Sequence, residues 1–328
     1  MHNLPVHWRE GLFLQPHHLQ AADRYWSEVI QTSEQWDHQY NYGLRHCEFS
    51  QEAIGNYQFQ INSCHARMKD GTLIVLDPGQ EPDRVDLKEA FARESSVMVY
   101  LAVPKLKLGR ANVGSSDDPG RHRYVENVLS IQEESLGGND QEVALRELNV
   151  QVRLSTEDLE GYEILPVARI QRAGASEATP QLDKGYIPPL VAVDAWPWLA
   201  RDIVRAIYDI IGRKIEVLSE IVVNRNITLV SQEPGDLNQL MMLSELNKAY
   251  ATLRVLAFAQ GVHPLVAYGE LVRIVGQLSI FGAERRPPEI PLYDHDDLGG
   301  SFGKAASVSP LSSSGKPGCR QGESTPDR

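Results

Sequence analysis

The spacing of apolar residues changes period once in this chain, at Tyr186-Ile187-Pro188-Pro189, and that change limits what the polypeptide can fold into. Before it, short apolar runs alternate or stand between Gly- and Pro-bearing turns, the pattern of strands. After it, apolar residues recur every three or four positions, the pattern of helices. At 328 residues, the chain is long enough for two or three domains. The boundary is therefore read as a junction between a β-rich part and an α-helical part.

In the first part, Tyr57 to Met68 reads as a strand, Lys69-Asp70-Gly71 as a turn and Thr72 to Leu76 as the return strand. Val97 to Val103 is a continuous apolar run stopped by Pro104, as expected for a strand covered on both faces. Tyr124–Ile131, Leu148–Leu154 and Tyr162–Ile170 are further candidates, with a mobile loop expected at Gly114–Gly120. No βαβ alternation is present, so the fold expected is an antiparallel β-sandwich or barrel-like domain.

In the second part, Asp194 is placed to cap a helix that tolerates Pro197 in its first turn and runs to about Thr228. Its apolar positions include Leu199, Ile203, Ile207, Ile210, Ile211, Leu218 and Ile221. These are more than one stripe requires, so the helix packs on two sides. Two readings stand for the second side: another copy of the chain, or a four-helix core within one chain. A second helix follows from Asp236 to a cap at Gly261, and a third from Pro264 to near Gly282. Short connections between long helices imply an antiparallel bundle. The expected divisions are an arm at 1–20, a β-rich shell at 21–185, a helical neck at 190–284, a connector at 285–298 and a tail at 299–328. That tail holds 7 Ser, 6 Gly and 3 Pro in 30 residues, too little apolar content for a core, and is expected to be disordered.

Few residues suggest chemistry. With 32 basic and 44 acidic side chains the net charge is −12, unsuited to a nucleic-acid partner. Three cysteines, Cys47, Cys64 and Cys319, make neither a disulfide framework nor a zinc site. No run approaches the ~18 apolar residues of a membrane span, and no signal peptide precedes the chain, so a cytoplasmic protein without membrane insertion is expected. Five histidines, at 2, 7, 17, 18 and 38, crowd the N-terminus, but adjacent His17 and His18 point apart on any regular backbone. Cys47 and Cys64 each neighbour a histidine in sequence, which is not the spatial pairing that catalysis needs. Tyr293-Asp294-His295-Asp296-Asp297 is the richest polar cluster and is read as a capped turn rather than a site. No dinucleotide fingerprint, P-loop or nucleophile elbow occurs, and neither cofactor nor metal is expected. An aromatic segment, Val6-His7-Trp8-Arg9-Glu10-Gly11-Leu12-Phe13-Leu14-Gln15-Pro16, is the exception. It suits either an edge strand on its own domain or an arm gripped by a partner.

Trp8-Arg9-Glu10-Gly11-Leu12-Phe13-Leu14-Gln15-Pro16-His17-His18-Leu19-Gln20 resembles the opening of the TssK family of type VI secretion baseplate subunits, approximately W-x-E-G-x-F-L-x-P-Q-H-F-Q. His17 and Leu19 depart from that pattern. Lys69-Asp70-Gly71-Thr72, Gly185-Tyr186-Ile187-Pro188-Pro189, His263-Pro264 and Pro291-Leu292-Tyr293-Asp294-His295-Asp296 extend the resemblance over about residues 1–298. The resemblance implies a homotrimeric structural adaptor with a β-domain similar to the shoulder of phage receptor-binding proteins, a helical neck and a C-terminal head. It implies that the N-terminal side holds the TssF–TssG wedge, with Trp8, Glu10, Gly11, Phe13, Leu14, Pro16 and His18 as contacts. The head of the full-length family docks on the cytoplasmic domains of TssL and TssM. After about Phe302 the sequence leaves the family pattern and reads like a truncated or frameshifted product. The expectation is a chain that trimerises and binds the wedge without docking on the membrane complex. Two other readings are kept: a carbohydrate-active hydrolase using Asp294 and Asp296, and a phage-tail receptor-binding-like protein.

Overall fold

A computed structural model of the chain describes residues 3–79, 82–115, 120–135, 137–172 and 179–307. His2, Cys319, most of the expected mobile loop and the tail beyond 307 lie outside the described residues. The chain divides into two compact units. One holds residues 1–196 with 261–264 and 295–299, and the other holds 197–260, 265–294 and the residues from 300 onward.

The first unit begins with helix α1 (Pro16–Asp37). Strand β1 (Gly43–Phe49) and the short helix α2 (Gln51–Gly55) follow. Next come β2 (Gln58–Phe59), β3 (Ile61–Arg67), β4 (Leu73–Leu76), β5 (Val85–Asp86) and helix α3 (Lys88–Arg93). The remaining strands are β6 (Ser96–Pro104), β7 (Val113–Gly114), β8 (Tyr124–Ile131), β9 (Gln141–Leu148), β10 (Gln151–Leu154), β11 (Tyr162–Arg172) and β12 (Pro180–Leu182). They form small sheets ordered β1-β3-β4, β10-β6-β11-β12, β2-β5 and β7-β8-β9. The pairings are antiparallel apart from the two-residue contact of β7 with β8.

The apolar run of β6 lies between β10 and β11, and Val97, Val99, Leu101, Ala102 and Val103 are fully buried there. The β3–β4 hairpin turns at Lys69-Asp70-Gly71, where the Asp70 carboxylate accepts the Thr72 amide at 2.9 Å. Residues 148–154, expected as one strand, are split after Leu148. The break is Asn149, whose side-chain amide donates to the carbonyl of His122 at 2.9 Å instead of facing a neighbour. The arm expected to end at residue 20 gives way to α1 at Pro16, so the region expected to be a β-rich shell from residue 21 opens with a helix.

The second unit is helical. A π-helical turn, Trp198–Arg205, leads into α4 (Ala206–Asn224). Then come α5 (Asp236–Phe258), α6 (Pro264–Leu278, continued as a 3-10 turn to Phe281) and α7 (Leu298–Ser307). Helices α4 and α5 run antiparallel. Tyr208, early in α4, stacks on Tyr250, late in α5, with ring centroids 4.4 Å apart, and Arg225 pairs with Asp236 at 2.9 Å at the other end.

Three helix boundaries differ from expectation. Asp194 caps nothing: its carboxylate accepts the Gly261 amide at 2.8 Å and pairs with Arg45 at 2.9 Å. The first long helix stops at Asn224 rather than Thr228, since Asn226 turns to φ +51°. Helix α5 ends at Phe258 with an extended Ala259, leaving Gly261 (φ +76°) in the connection. The tail expected from residue 299 is in part helical. Leu298 and Phe302, four residues apart on one face of α7, are fully buried, and Phe302 packs edge-on against Tyr268 at 5.4 Å. Residues 264–281 form a helix long and apolar enough by composition to cross a membrane, but Ala267, Leu271, Ile274, Val275 and Leu278 are buried inside the protein.

Two features hold the first unit closed. Gly43 opens β1 at φ +127°, and a β-carbon there would sit 2.5 Å from the Pro189 carbonyl. That close approach lets Leu44 bond to the 189–191 segment through both its backbone groups, its N–H donating to the Pro189 carbonyl at 2.9 Å and its carbonyl accepting the Val191 amide at 3.0 Å. His295 is buried, stacked parallel to His263 at 5.5 Å and to Tyr40 at 5.1 Å. Its Nε2 lies 2.8 Å from the Tyr42 carbonyl. The neighbouring Asp296 accepts from Lys69 at 2.9 Å and from the Tyr42 hydroxyl at 3.1 Å. Burial holds the His295 pKa below its usual 6.5, against the opposing pull of the Tyr42 hydrogen bond.

Gly43→Ala combines strained φ, about 1–3 kcal/mol, with a backbone overlap that must be relieved. A drop in thermal midpoint of about 6–12 °C is expected; calorimetry showing an unchanged midpoint would contradict the close approach. His295 gives a pH signature. Its folded form resists protonation, so the unfolded chain binds the extra proton first, and stability falls as pH drops below about 6.5. Urea midpoints at pH 7.5 and 5.5 measure that loss, which is smaller in His295→Gln.

Candidate interaction surface

Residues 3–15 form no strand and lie on the surface. The arm turns once: Leu12 donates to the Arg9 carbonyl at 3.2 Å, and Gly11 takes φ +76° at the position of such a turn that favours glycine. Trp8, Glu10, Gly11, Phe13, Leu14 and Pro16 are exposed, Phe13 by 81%. Pro16 is the first residue of α1, where a missing N–H costs nothing. His18 is half-buried, and its Nδ1 accepts the Gln15 amide at 3.1 Å, closing the start of the helix. Trp8 lies 6.2 Å from the His18 ring, so the arm folds back on the helix it precedes.

Helix α1 was not foreseen, and it is turned inside out. None of its 22 residues is buried. Its polar side chains face its own unit: Glu34 pairs with Arg67 at 2.9 Å, the Gln31 amide donates to the Asp70 carbonyl, and Asp23 lies 3.6 Å from Arg146. Hydrogen bonding and charge from Arg67 hold the Glu34 carboxyl below its ordinary range. Its larger apolar side chains are left largely in solvent, Ile30 at the edge of the cleft beneath the helix. Leu19, Trp26, Val29, Ile30 and Trp36 are all exposed, Trp26 by 60% and Trp36 by 84%. The signal was available in the sequence: Leu19, Ala22, Trp26, Val29, Ser33 and Trp36 alternate spacings of three and four.

Beneath α1 lies a cleft of about 930 Å³ whose lining includes Gln31, Glu34, Arg67, Asp70, Arg123 and Glu163. Several of its charges are engaged in structure. Arg123, only 8% exposed, donates to the Pro104 carbonyl at 3.0 Å, to Thr72 Oγ1 at 2.6 Å and to Asp70 at 3.2 Å. Burial, then the nearby Asp70 charge, raises the Glu163 pKa.

The predicted helical residues fall on two faces of one helix. Leu199 and Ile211 are buried, with Val204 beside them, while Leu218 is half-buried near the same face. Gly212 makes room for Tyr250, which a β-carbon would meet at 3.1 Å, and the Tyr208 hydroxyl donates to that of Tyr250 at 2.6 Å. Ile203, Ile207, Ile210 and Ile221 are only half-covered, and Val217 is 59% exposed. Together with Lys214, whose pKa burial pulls down, these form a second stripe along α4 and the turn before it. Its spacings again alternate between four and three.

The other candidates are occupied in structural roles. Cys47 and Cys64 face each other across β1 and β3, as do His46 and His65. Successive strand residues point to opposite faces, so neither cysteine meets its neighbouring histidine. The Cys64 hydrogen bond, then burial, pushes the Cys47 thiol well up, away from nucleophilic use. Asp296 is held as described, and the Asp294 amide donates to Ser301 at 3.0 Å. Neither carboxylate lines the 930 Å³ cleft or the groove of about 750 Å³ beside Tyr208, Tyr250 and Phe258. Among the described residues no group of three or more His, Cys, Asp or Glu is placed to hold a metal ion.

Comparison with known proteins gives a consistent result. The family described as Bacterial Type VI secretion, VC_A0110, EvfL, ImpJ, VasE matches residues 18–308. The type VI secretion system baseplate component TssK1 of Pseudomonas aeruginosa is 28% identical over 303 residues, covering 92% of this chain and 66% of that protein. This chain therefore spans somewhat less than two thirds of that relative's length. A crystal structure of TssK superposes with a TM-score of 0.82 at 22% identity, covering 92% of this chain and 67% of that one. A chain of the type VI baseplate complex gives 0.81 at 24% identity, covering 94% and 69%. A TssK-TssF-TssG baseplate subcomplex seen by cryo-electron microscopy gives 0.79 at 22%, covering 94% and 97%. These structures establish the fold, a β-rich N-terminal region followed by several helices. With the family match running over most of its length, this chain belongs to the bacterial type VI secretion family that includes ImpJ and VasE.

Proposed function

We propose that this chain is a non-enzymatic structural adaptor of the type VI secretion baseplate, working in the cytoplasm as a homotrimer that holds a TssF–TssG wedge. One observation carries the reading: apolar side chains at the arm are left in solvent and a second apolar stripe along α4 is only half-covered, while the polar clusters are bonded within the chain. Leaving that much apolar surface wet costs roughly 25 cal/mol per Å² relative to covering it. The relative and the solved neighbours are baseplate components, one of them in complex with TssF and TssG.

The second stripe of α4 supplies the trimer contact in this reading. Ile207, Ile210, Lys214, Val217 and Ile221 occupy alternating a and d positions of a heptad. A lysine at one a position costs stability but fixes register and copy number. The small sheets then form a sandwich-like shell, and α4 to α6 form the neck bundle. The arm, anchored at Pro16 and His18, presents Trp8, Phe13 and Leu14 to the wedge. A hydrolase using Asp294 and Asp296 is not favoured, because Lys69 and Tyr42 already hold Asp296.

Two variants test the two contacts separately. Aromatic anchors at an interface typically contribute about 2 kcal/mol each. Trp8→Ala with Phe13→Ala is therefore expected to weaken capture of purified TssF–TssG by a hundredfold or more while leaving the light-scattering mass unchanged. Wild-type capture would remove the arm from the wedge contact. Ile210→Glu with Val217→Glu is expected to reduce the mass toward that of one chain. A variant that keeps the wild-type mass would remove α4 from the trimer contact.

A further inference from the structure

We propose that the free edge of β9 is a docking site for an extended, basic segment of another protein, which pairs with residues 141–148 as an added strand. This surface is separate from the arm and from the α4 stripe, so the inference goes beyond the trimer and wedge contacts proposed above.

Strands β8 and β9 pair without a break over their whole length, from Tyr124 opposite Leu148 to Ile131 opposite Gln141. From Glu126 to Glu147 every described residue is exposed, so the ribbon stands in solvent on both faces. Strand alternation gathers Leu129, Ile131, Val143 and Leu145 on one of those faces, with Leu129 directly opposite Val143. A two-stranded ribbon is marginal in water, and independent stability takes a third strand or a covering helix. The third strand here is β7, two residues long, and it pairs only at the base, with Tyr124 and Val125. Among the described residues, 142–147 make backbone hydrogen bonds to β8 alone, which leaves the outer donors and acceptors of β9 to solvent.

Exposed edges are normally blunted by short strands, bulges, proline or lysine. The other edges of this unit follow that rule. β4 and β10 run four residues and β12 three, while β1 is interrupted by two register shifts and opens against Leu190. β9 has eight residues in unbroken register and contains neither proline, glycine nor lysine. Such an edge is a template for main-chain pairing, which suits an extended segment and not a helix. Charge selects the kind of segment. Residues 124–148 hold six acidic side chains and one basic, Arg146, which lies over the Tyr124 ring and 3.6 Å from Asp23. On one face an added strand meets the exposed Glu142, and on the other it meets Val143 and Leu145. The segment that fits therefore alternates basic and apolar residues. A second copy of this chain, itself at −12, would bring another acidic ribbon to the same edge, and like charge disfavours it.

The probe is an octapeptide of alternating lysine and valine, blocked at both ends and carrying a fluorophore, titrated with the full chain by fluorescence anisotropy. Binding is expected, and it weakens as salt is raised. An added strand bonds to the edge through every second residue. N-methylation of one alternate set of peptide amides is therefore expected to lower the affinity at least tenfold, while methylation of the other set leaves it within about twofold. A peptide with four lysines followed by four valines is expected to bind at least tenfold more weakly than the alternating one. Val143→Lys with Leu145→Lys is expected to cost at least tenfold in affinity, with circular dichroism and light-scattering mass unchanged, since both side chains are exposed. The proposal is overturned if both N-methylated peptides bind as tightly as the parent, because charge alone would then account for the attraction. It is overturned as well if the Val143 and Leu145 variant binds the peptide like the wild type. A fall in that variant's mass would assign the edge to a contact between copies and would also sink it. Trp8→Ala with Phe13→Ala separates this site from the arm: loss of the peptide there would move the site off β9, whereas retained binding with lost TssF–TssG capture leaves both readings standing.

Discussion

The guanidinium of Arg67, 2.9 Å from the Glu34 carboxylate, fixes the roll of α1 on its domain together with the bond from Gln31 to the Asp70 carbonyl. Asp70 is itself fixed from beneath. The buried Arg123 reaches its carboxylate, the Thr72 hydroxyl and the Pro104 carbonyl, and a buried cation stays there only because each of those acceptors is present. The causal chain runs from a buried arginine, through the turn of a hairpin, to the orientation of a helix. Rotating α1 by half a turn to bury Trp26 and Trp36 would strand Arg67 and present apolar rings to the polar cleft. Charge inside the domain thus decides that grease is left outside it.

How much of this was legible in the sequence differed by element, for reasons that can be named. The change of period at Tyr186–Pro189 separated strands from helices because burial on one face writes itself into spacing. β8 and the buried run of β6 were read at nearly their observed limits. Helix α1 escaped because Trp8 to Pro16 drew attention to an extended arm, and because a helix with an outward stripe contributes nothing to the expected core. α7 escaped because Gly299, Gly300 and Gly303 disfavour a helix by about 1 kcal/mol each, while only Leu298 and Phe302 argue for one. Tertiary burial of those two side chains settles the matter.

The long helix shows a different limit. Spacing alone counted Ile210 and Ile211 together as apolar positions. The structure separates them, because α5 reaches α4 where Gly212 admits the Tyr250 ring, and that contact selects the face containing Ile211. Sequence period could tell that two faces existed, but not which one the chain covers itself. The Cys-His neighbours were readable for the opposite reason. Strand alternation is so regular that adjacent residues cannot share a face, whatever packs around them.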